Sequence, residues 1–154
     1  MYNFSELTRG ATFCLSKAGL VIGGTTSKVQ IVAPNGAGVD FAIGGYLYHL
    51  ASGDNIFTLS GSIQTVLYTC IYLLSLDHDG TAHCTQGKEV LTADVDAGLA
   101  PLHWPEAPPD CCAIGAIKVK ATSALFNPGT TALGTGNTVV YYDLFAVPDT
   151  PVVS

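Results

Sequence analysis

The side chains with the most chemical potential in this sequence crowd around one short segment: Asp77, His78 and Asp79 stand together, and His83 and Cys84 follow shortly after. Imidazole, thiolate and carboxylate are the ligands of zinc, so a site closed across a single hairpin is one reading. Zinc is usually held by four ligands in tetrahedral array, with short C-x-x-C or H-x-x-x-H spacings, and neither spacing occurs here. Polar residues decorating an exposed turn is the better reading. Asp77-His78-Asp79-Gly80 also opens like a calcium loop, but the closing bidentate glutamate is missing, because Lys88 precedes the nearest candidate, Glu89. The chain is therefore expected to carry no metal and no cofactor.

Nucleophilic chemistry fares no better. Cys14, Cys84 or Cys112 could be paired on paper with His49 or His103, but nothing in their spacing supports a particular pair. No G-x-S-x-G elbow and no phosphate-cradling G-x-x-x-x-G-K-[ST] loop is present, and the carboxylates are too dispersed to nominate an acid and a base. Gly134-Thr135-Gly136 reads as a surface turn before the last strand, since no helix start follows it. The five cysteines, Cys14, Cys70, Cys84, Cys111 and Cys112, are odd in number and lack paired spacing, which predicts reduced thiols. Cys70, inside an apolar run, is expected to be a small core residue. The sequence predicts a protein that is not an enzyme.

The aromatic residues are the remaining candidates. Tyr46, Tyr48, Trp104, Tyr141 and Tyr142 could stack on sugar rings, or could divide between a core and a protein interface, and the second reading is preferred. Trp104 is the lone tryptophan and lies among prolines, where no strand pattern would bury it. It is expected to anchor a subunit contact, together with Pro105, Tyr46, Tyr48 and Tyr141.

These residues have to be positioned by strands, for no helix-period stretch stands out. Strands are expected over Ser27 to Ala33, Gly38 to Ile43, Tyr46 to Leu50, Val66 to Leu76, Thr81 to Gln86, Ile114 to Ala121 and Thr138 to Phe145. Val29 and Ile31 alternate with Lys28 and Gln30, and Ile117 and Val119 with Lys118 and Lys120, so each of these strands has one wet face. Val66 to Leu76 is apolar on both faces and should be central. Pro34-Asn35-Gly36, Gly44-Gly45, Ser52-Gly53-Asp54-Asn55, Asp79-Gly80 and Pro128-Gly129 supply turn chemistry between the runs. Pro101, Pro105, Pro108 and Pro109 force an extended connection, with a short helical turn ahead of it at Thr92 to Ala97. Residues 1–25 are read as an N-terminal arm or first strand, and 26–154 as a single β-sandwich domain.

The bulk numbers bound what such a domain can do. At 154 residues the chain can bury roughly 70% of its unfolded surface, so it needs no staple. Charged residues are 12% of the chain, against about 25% in an average soluble domain, and mean hydropathy is +0.38. So little charge predicts that apolar surface is covered by copies of the same chain, as a dimer or trimer, or by a larger partner. Six scattered Lys and Arg with a net charge of −6 argue against a nucleic-acid partner. The longest apolar stretch, Ile63 to Leu76, is interrupted by Gln64, Thr65, Thr69 and Ser75 and is too short for a membrane helix, so no membrane partner is expected. Met1 to Arg9 lacks the pattern of an export signal, which predicts a protein that stays in the cytoplasm where it is made.

Two sets of residues carry a family resemblance. Val29-Gln30-Ile31, Phe41-Ala42-Ile43-Gly44-Gly45-Tyr46-Leu47-Tyr48, Asp54-Asn55-Ile56-Phe57 and Ile71-Tyr72-Leu73-Leu74 resemble virion structural proteins encoded near the capsid genes of tailed phages. Pro108-Pro109-Asp110, Cys112-Ala113-Ile114-Gly115-Ala116-Ile117-Lys118-Val119, Phe126-Asn127-Pro128-Gly129-Thr130-Thr131-Ala132-Leu133 and Tyr141-Tyr142-Asp143-Leu144 resemble the capsid decoration, or cement, group. The similarity covers about Thr26 to Pro148. It implies an antiparallel β-sandwich of jelly-roll type; the all-β class, the extended N-terminal arm and the proline-rich connection are read from the residues themselves, and residues 1–25 fall outside the match. It further implies a bacteriophage virion protein on the outer capsid surface, made in the host cytoplasm, whose partners are the major capsid protein and copies of itself. The alternative is a receptor- or carbohydrate-binding module of a phage fibre or tail.

Overall fold

The computed structural model describes residues 11–32 and 36–145. The fold is all-β and every strand pairing in it is antiparallel. Among the described residues eleven strands and one short helix follow in order: β1 Phe13–Cys14, β2 Leu20–Ile22, β3 Lys28–Ile31, β4 Val39–Ile43, β5 Tyr46–Leu50, β6 Gly53–Thr58, β7 Tyr68–Leu76, β8 Ala82–Gln86, β9 Val90–Leu91, α1 Thr92–Asp96, β10 Cys112–Ala121 and β11 Asn137–Asp143. Among the described residues no helix is long and apolar enough to cross a membrane.

The largest sheet is built on β7, whose residues Thr69 to Leu76 are all buried. Its order is β11-β10-β7-β8, and β9 continues along the same side of β7 as β8. Period-two alternation sends Cys70, Tyr72, Leu74 and Leu76 to one face of β7 and Ile71 and Leu73 to the other. The first set joins Ile114, Ile117 and Val119 of β10 in the main core. Two smaller sheets, β1-β4-β5 and β2-β3-β6, contribute Cys14, Phe41, Leu20, Val29, Ile31 and Phe57 to that same core. Ile71, Leu73 and Ala116 are covered instead by Leu102 and Ala107 of the proline-rich connection. That connection is the second cover that an all-apolar central strand requires.

The alternation expected in β3 and β10 is present, with Val29, Ile31, Ile117 and Val119 buried and their neighbours Lys28, Gln30, Lys118 and Lys120 half-exposed. Gly44 and Gly45, at φ 57° and 85°, close the β4–β5 hairpin in two residues, a turn that needs positive φ at both positions. β7 begins two residues later than the sequence pattern suggests. Leu67 has φ 68° and Tyr68 N–H closes a turn onto the Thr65 carbonyl at 3.2 Å, so Val66 and Leu67 stay outside the ladder.

One stretch requires correction. Ser52 to Asn55 has the composition of a turn, but Gly53, Asp54 and Asn55 open strand β6. The register against β3 shifts between Val29 and Ile31, and Asn55, at φ 56°, occupies the resulting bulge in a conformation that asparagine tolerates. Its side chain and that of Asp54 accept hydrogen bonds from Thr25 N (2.9 Å) and Gly24 N (2.7 Å), fixing the β2–β3 turn. Residues 1–25 are expected to form an arm or a first strand. Residues 1–10 lie outside the described residues, but from there to Thr25 the chain supplies β1 and β2 and buries Cys14, Ala18 and Leu20. Pro34 and Asn35 of another expected turn also lie outside the described residues.

Candidate functional site

The proline-rich connection positions the lone tryptophan. After α1 the chain runs extended over the outer face of the large sheet, held by Leu102 and Ala107. It also passes Gly87, where a Cβ would meet His103 O and Pro105 Cδ in ordinary contact at 3.4 Å and crowd the Ile71 carbonyl at 3.0 Å. Pro105 is thereby half-buried. Trp104 is 49% exposed and meets Tyr142 of β11 edge-to-face, with centroids 5.9 Å apart and planes at 75°. A half-exposed indole braced by a second aromatic ring on a sheet is well suited to insert into a partner. The structure brings Trp104 to Tyr142, not to Tyr141, which is half-buried and packs against the main core.

Tyr46 and Tyr48 lie elsewhere, on the β4–β5 hairpin. Tyr48 stacks on Phe41 at 5.7 Å and 24°, whereas Tyr46 and Leu47 project at 74% and 75% exposure. On this sheet a groove of about 380 Å³ is lined by Leu15, Asp40, Leu47, Tyr48 and His49. His49 Nδ1 lies 2.7 Å from Asp40 Oδ1, a contact that orients the imidazole and leaves its other nitrogen for a ligand. Apolar walls beside an oriented carboxylate and imidazole suit a hydroxylated ligand with an apolar face. The nearby Ser16 hydroxyl accepts the Asp40 backbone N–H at 2.8 Å, so it is engaged with the backbone.

The Asp77–Cys84 segment is a hairpin turn between β7 and β8. Asp77 Oδ1 accepts the backbone N–H groups of Asp79 (3.0 Å) and Thr81 (2.8 Å), and its Oδ2 lies 3.1 Å from His83 Nε2. These contacts hold the Asp77 carboxyl below the usual carboxylate range, with the His83 contact first and the Thr81 N–H second. Cys84 packs against the main core, and its neighbour His83 projects from the other face of β8, so the two cannot converge on one ion. Among the described residues no group of three His, Cys, Asp or Glu is arranged to hold a metal.

All five cysteines are free. Burial pushes the thiols of Cys14 up to about 11 and of Cys70 and Cys112 up to about 12, the opposite of what a nucleophilic cysteine needs. A buried polar residue is more consequential. Gln64 is fully buried, donates from Nε2 to the carbonyls of Tyr68 (2.8 Å) and Val119 (2.9 Å), and accepts from Tyr72 Oη (3.2 Å). Gln86 Nε2 donates to Tyr72 Oη at 3.1 Å and to the Ser62 carbonyl at 3.0 Å. In the sequence Gln64 shows only as an interruption of an apolar run, and its role needed the position of Tyr72. Comparison with family models, with curated proteins and with solved structures gives no match to this chain.

Proposed function

We propose that this protein is a non-enzymatic virion structural protein that binds the outer capsid surface of a tailed phage and stabilises the shell by bridging neighbouring capsid subunits. The observation that carries the reading is Trp104, an exposed aromatic fixed on a rigid sheet by Tyr142, Pro105 and the connection that bears it. The resemblance to decoration proteins supports it, and so does the scarcity of charge on the chain. Three antiparallel sheets sharing one core support describing the domain as a sandwich of jelly-roll type. The effect would be mechanical: a modest gain at each of many repeated contacts raises the resistance of the whole lattice.

Particles stripped of the protein should leak DNA on milder heating than complete ones, and re-addition should restore them. Trp104→Ala should weaken cosedimentation with stripped particles by about 2 kcal/mol or more, while Lys28→Ala leaves it unchanged. Failure of the wild-type chain to bind such particles overturns the reading. The Asp40–His49 groove favours a second one, a carbohydrate-binding module of a fibre or tail. In that case glycan binding would be lost in Asp40→Asn and kept in Trp104→Ala.

A further inference from the structure

The large sheet ends in β11, which pairs with β10 on one side and with nothing among the described residues on the other. Its sequence is Asn-Thr-Val-Val-Tyr-Tyr-Asp: seven residues without proline or lysine, β-branched or aromatic from Thr138 to Tyr142, and without charge before Asp143. The ladder to β10 runs unbroken over all seven positions, so no bulge twists the edge away. Proteins ordinarily protect such an edge with lysine, proline or a bulge, because its free backbone donors and acceptors will pair with another strand. The inner-face residues Val139 and Tyr141 are left half-buried, although they continue rows whose members on β10 and β7, Val119, Ile117 and Tyr72, are fully buried.

We infer that β11 is the seam of a two-fold dimer, pairing antiparallel with β11 of a second copy in a register centred on Val140. An isologous contact must be self-complementary, and this strand is. Centring on Val140 sets Val139 opposite Tyr141 on the core face, a β-branched and aromatic pair of the kind that stabilises sheets. On the outer face Thr138 meets Tyr142 and the two Val140 side chains, each 37% exposed, meet one another. At the ends Asp143 falls opposite Asn137, so no like charges are opposed. A one-residue slip would set core-facing side chains against outward-facing ones, which fixes the register. The dimer contains one continuous sheet spanning both cores, with the pairing in the plane of the sheet and Trp104 on its outer face. It does not depend on the capsid reading.

Sedimentation of the full chain between about 1 and about 100 µM should show the dimer mass, with β11 amides gaining protection from hydrogen exchange as concentration rises. Val140→Lys opposes two ammonium groups at the axis and should weaken the dimer at least about tenfold, while Val140→Thr retains it. Thr138→Lys, at an exposed site one step along the same face, gives a second reading if Val140→Lys fails to fold. A chain that remains monomeric throughout, or whose β11 exchange is independent of concentration because a segment of its own covers the edge, overturns the inference. So does a dimer that both lysine variants leave intact.

Discussion

The two edges of the large sheet are treated in opposite ways. On the β8–β9 side regular pairing stops after Gln86 and resumes at Val90, with Gly87 N still donating to the Ile71 carbonyl at 2.7 Å, and the chain from Ser60 to Thr65 runs alongside it. Ser60 Oγ donates to the Cys84 carbonyl at 3.2 Å, Ser62 exchanges two hydrogen bonds with the Gln86 side chain, and Thr65 N donates to Glu89 Oε2 at 3.2 Å. The connection then crosses at Gly87. On the β11 side the ladder is uninterrupted and no further strand pairs with it among the described residues; Asn137 Nδ2 donates to the Ala132 and Thr135 carbonyls, and Leu20 N donates to Asp143 Oδ1 at 3.0 Å. One side is guarded, its hydrogen-bonding groups spent inside the chain, and the other pairs with β10 alone among the described residues. The dimer inferred for β11 would use that second edge.

The guard should break most severely at Gln64. Gln64→Leu keeps the volume but strips the Tyr68 and Val119 carbonyls and the Tyr72 hydroxyl of a buried partner, and each such loss costs about 1–3 kcal/mol. We expect a total near 3 kcal/mol or more, read from urea unfolding, and loosening of Ser60 to Thr65 in hydrogen exchange. If Gln64→Leu is as stable as the wild type, the network is not what holds the guard.

A smaller effect is expected at the crossing. In Gly87→Val the new Cβ would lie 3.0 Å from the Ile71 carbonyl and 3.4 Å from both His103 O and Pro105 Cδ. The connection has to lift, for a cost of about 1–3 kcal/mol. Because lifting it also displaces Trp104, Trp104 fluorescence should report the shift along with the loss of stability. Loss of stability with unchanged fluorescence would show that Trp104 is held by Tyr142 alone.

The contrast between the edges explains how far the sequence could be read. β5 was legible to the residue, and β3, β8, β10 and β11 to within a few, because alternation and glycine turns are local properties. The two apolar faces of β7 announced a central strand, but what covers its second face is a connection that only the fold brings there. β1, β2 and β9 are two or three residues long and are defined by their partners more than by their own pattern. β6 was hidden by Asp54 and Asn55, whose side chains serve a turn in another segment while their backbone continues a strand. The same limit holds for the site. The exposure of Trp104 followed from its proline-rich setting, but its partner depends on which face each tyrosine of β11 occupies. Tyr142 lies opposite Ala116 on the outer face, and Tyr141 opposite Ile117 on the inner one.

The smallest effect is expected at the hairpin that begins the guarded edge. Asp77 accepts hydrogen bonds from Asp79 N, Thr81 N and His83, and together they hold its carboxyl below the ordinary range. With the folded value below the unfolded one, the unfolded chain takes up this proton first as pH falls, so acid favours unfolding at this position. The contribution of Asp77 is therefore complete above the ordinary carboxylate range and disappears as pH falls through its lowered folded value. Amide exchange at Thr81 and Gly80 should quicken over that window, after correction for intrinsic rates, while β10 and β11 are unchanged. In Asp77→Asn, which carries no titrating carboxyl, the local pH dependence should vanish. If it persists in that variant, another group governs the turn, and the guarded edge begins at β8 and not at Asp77.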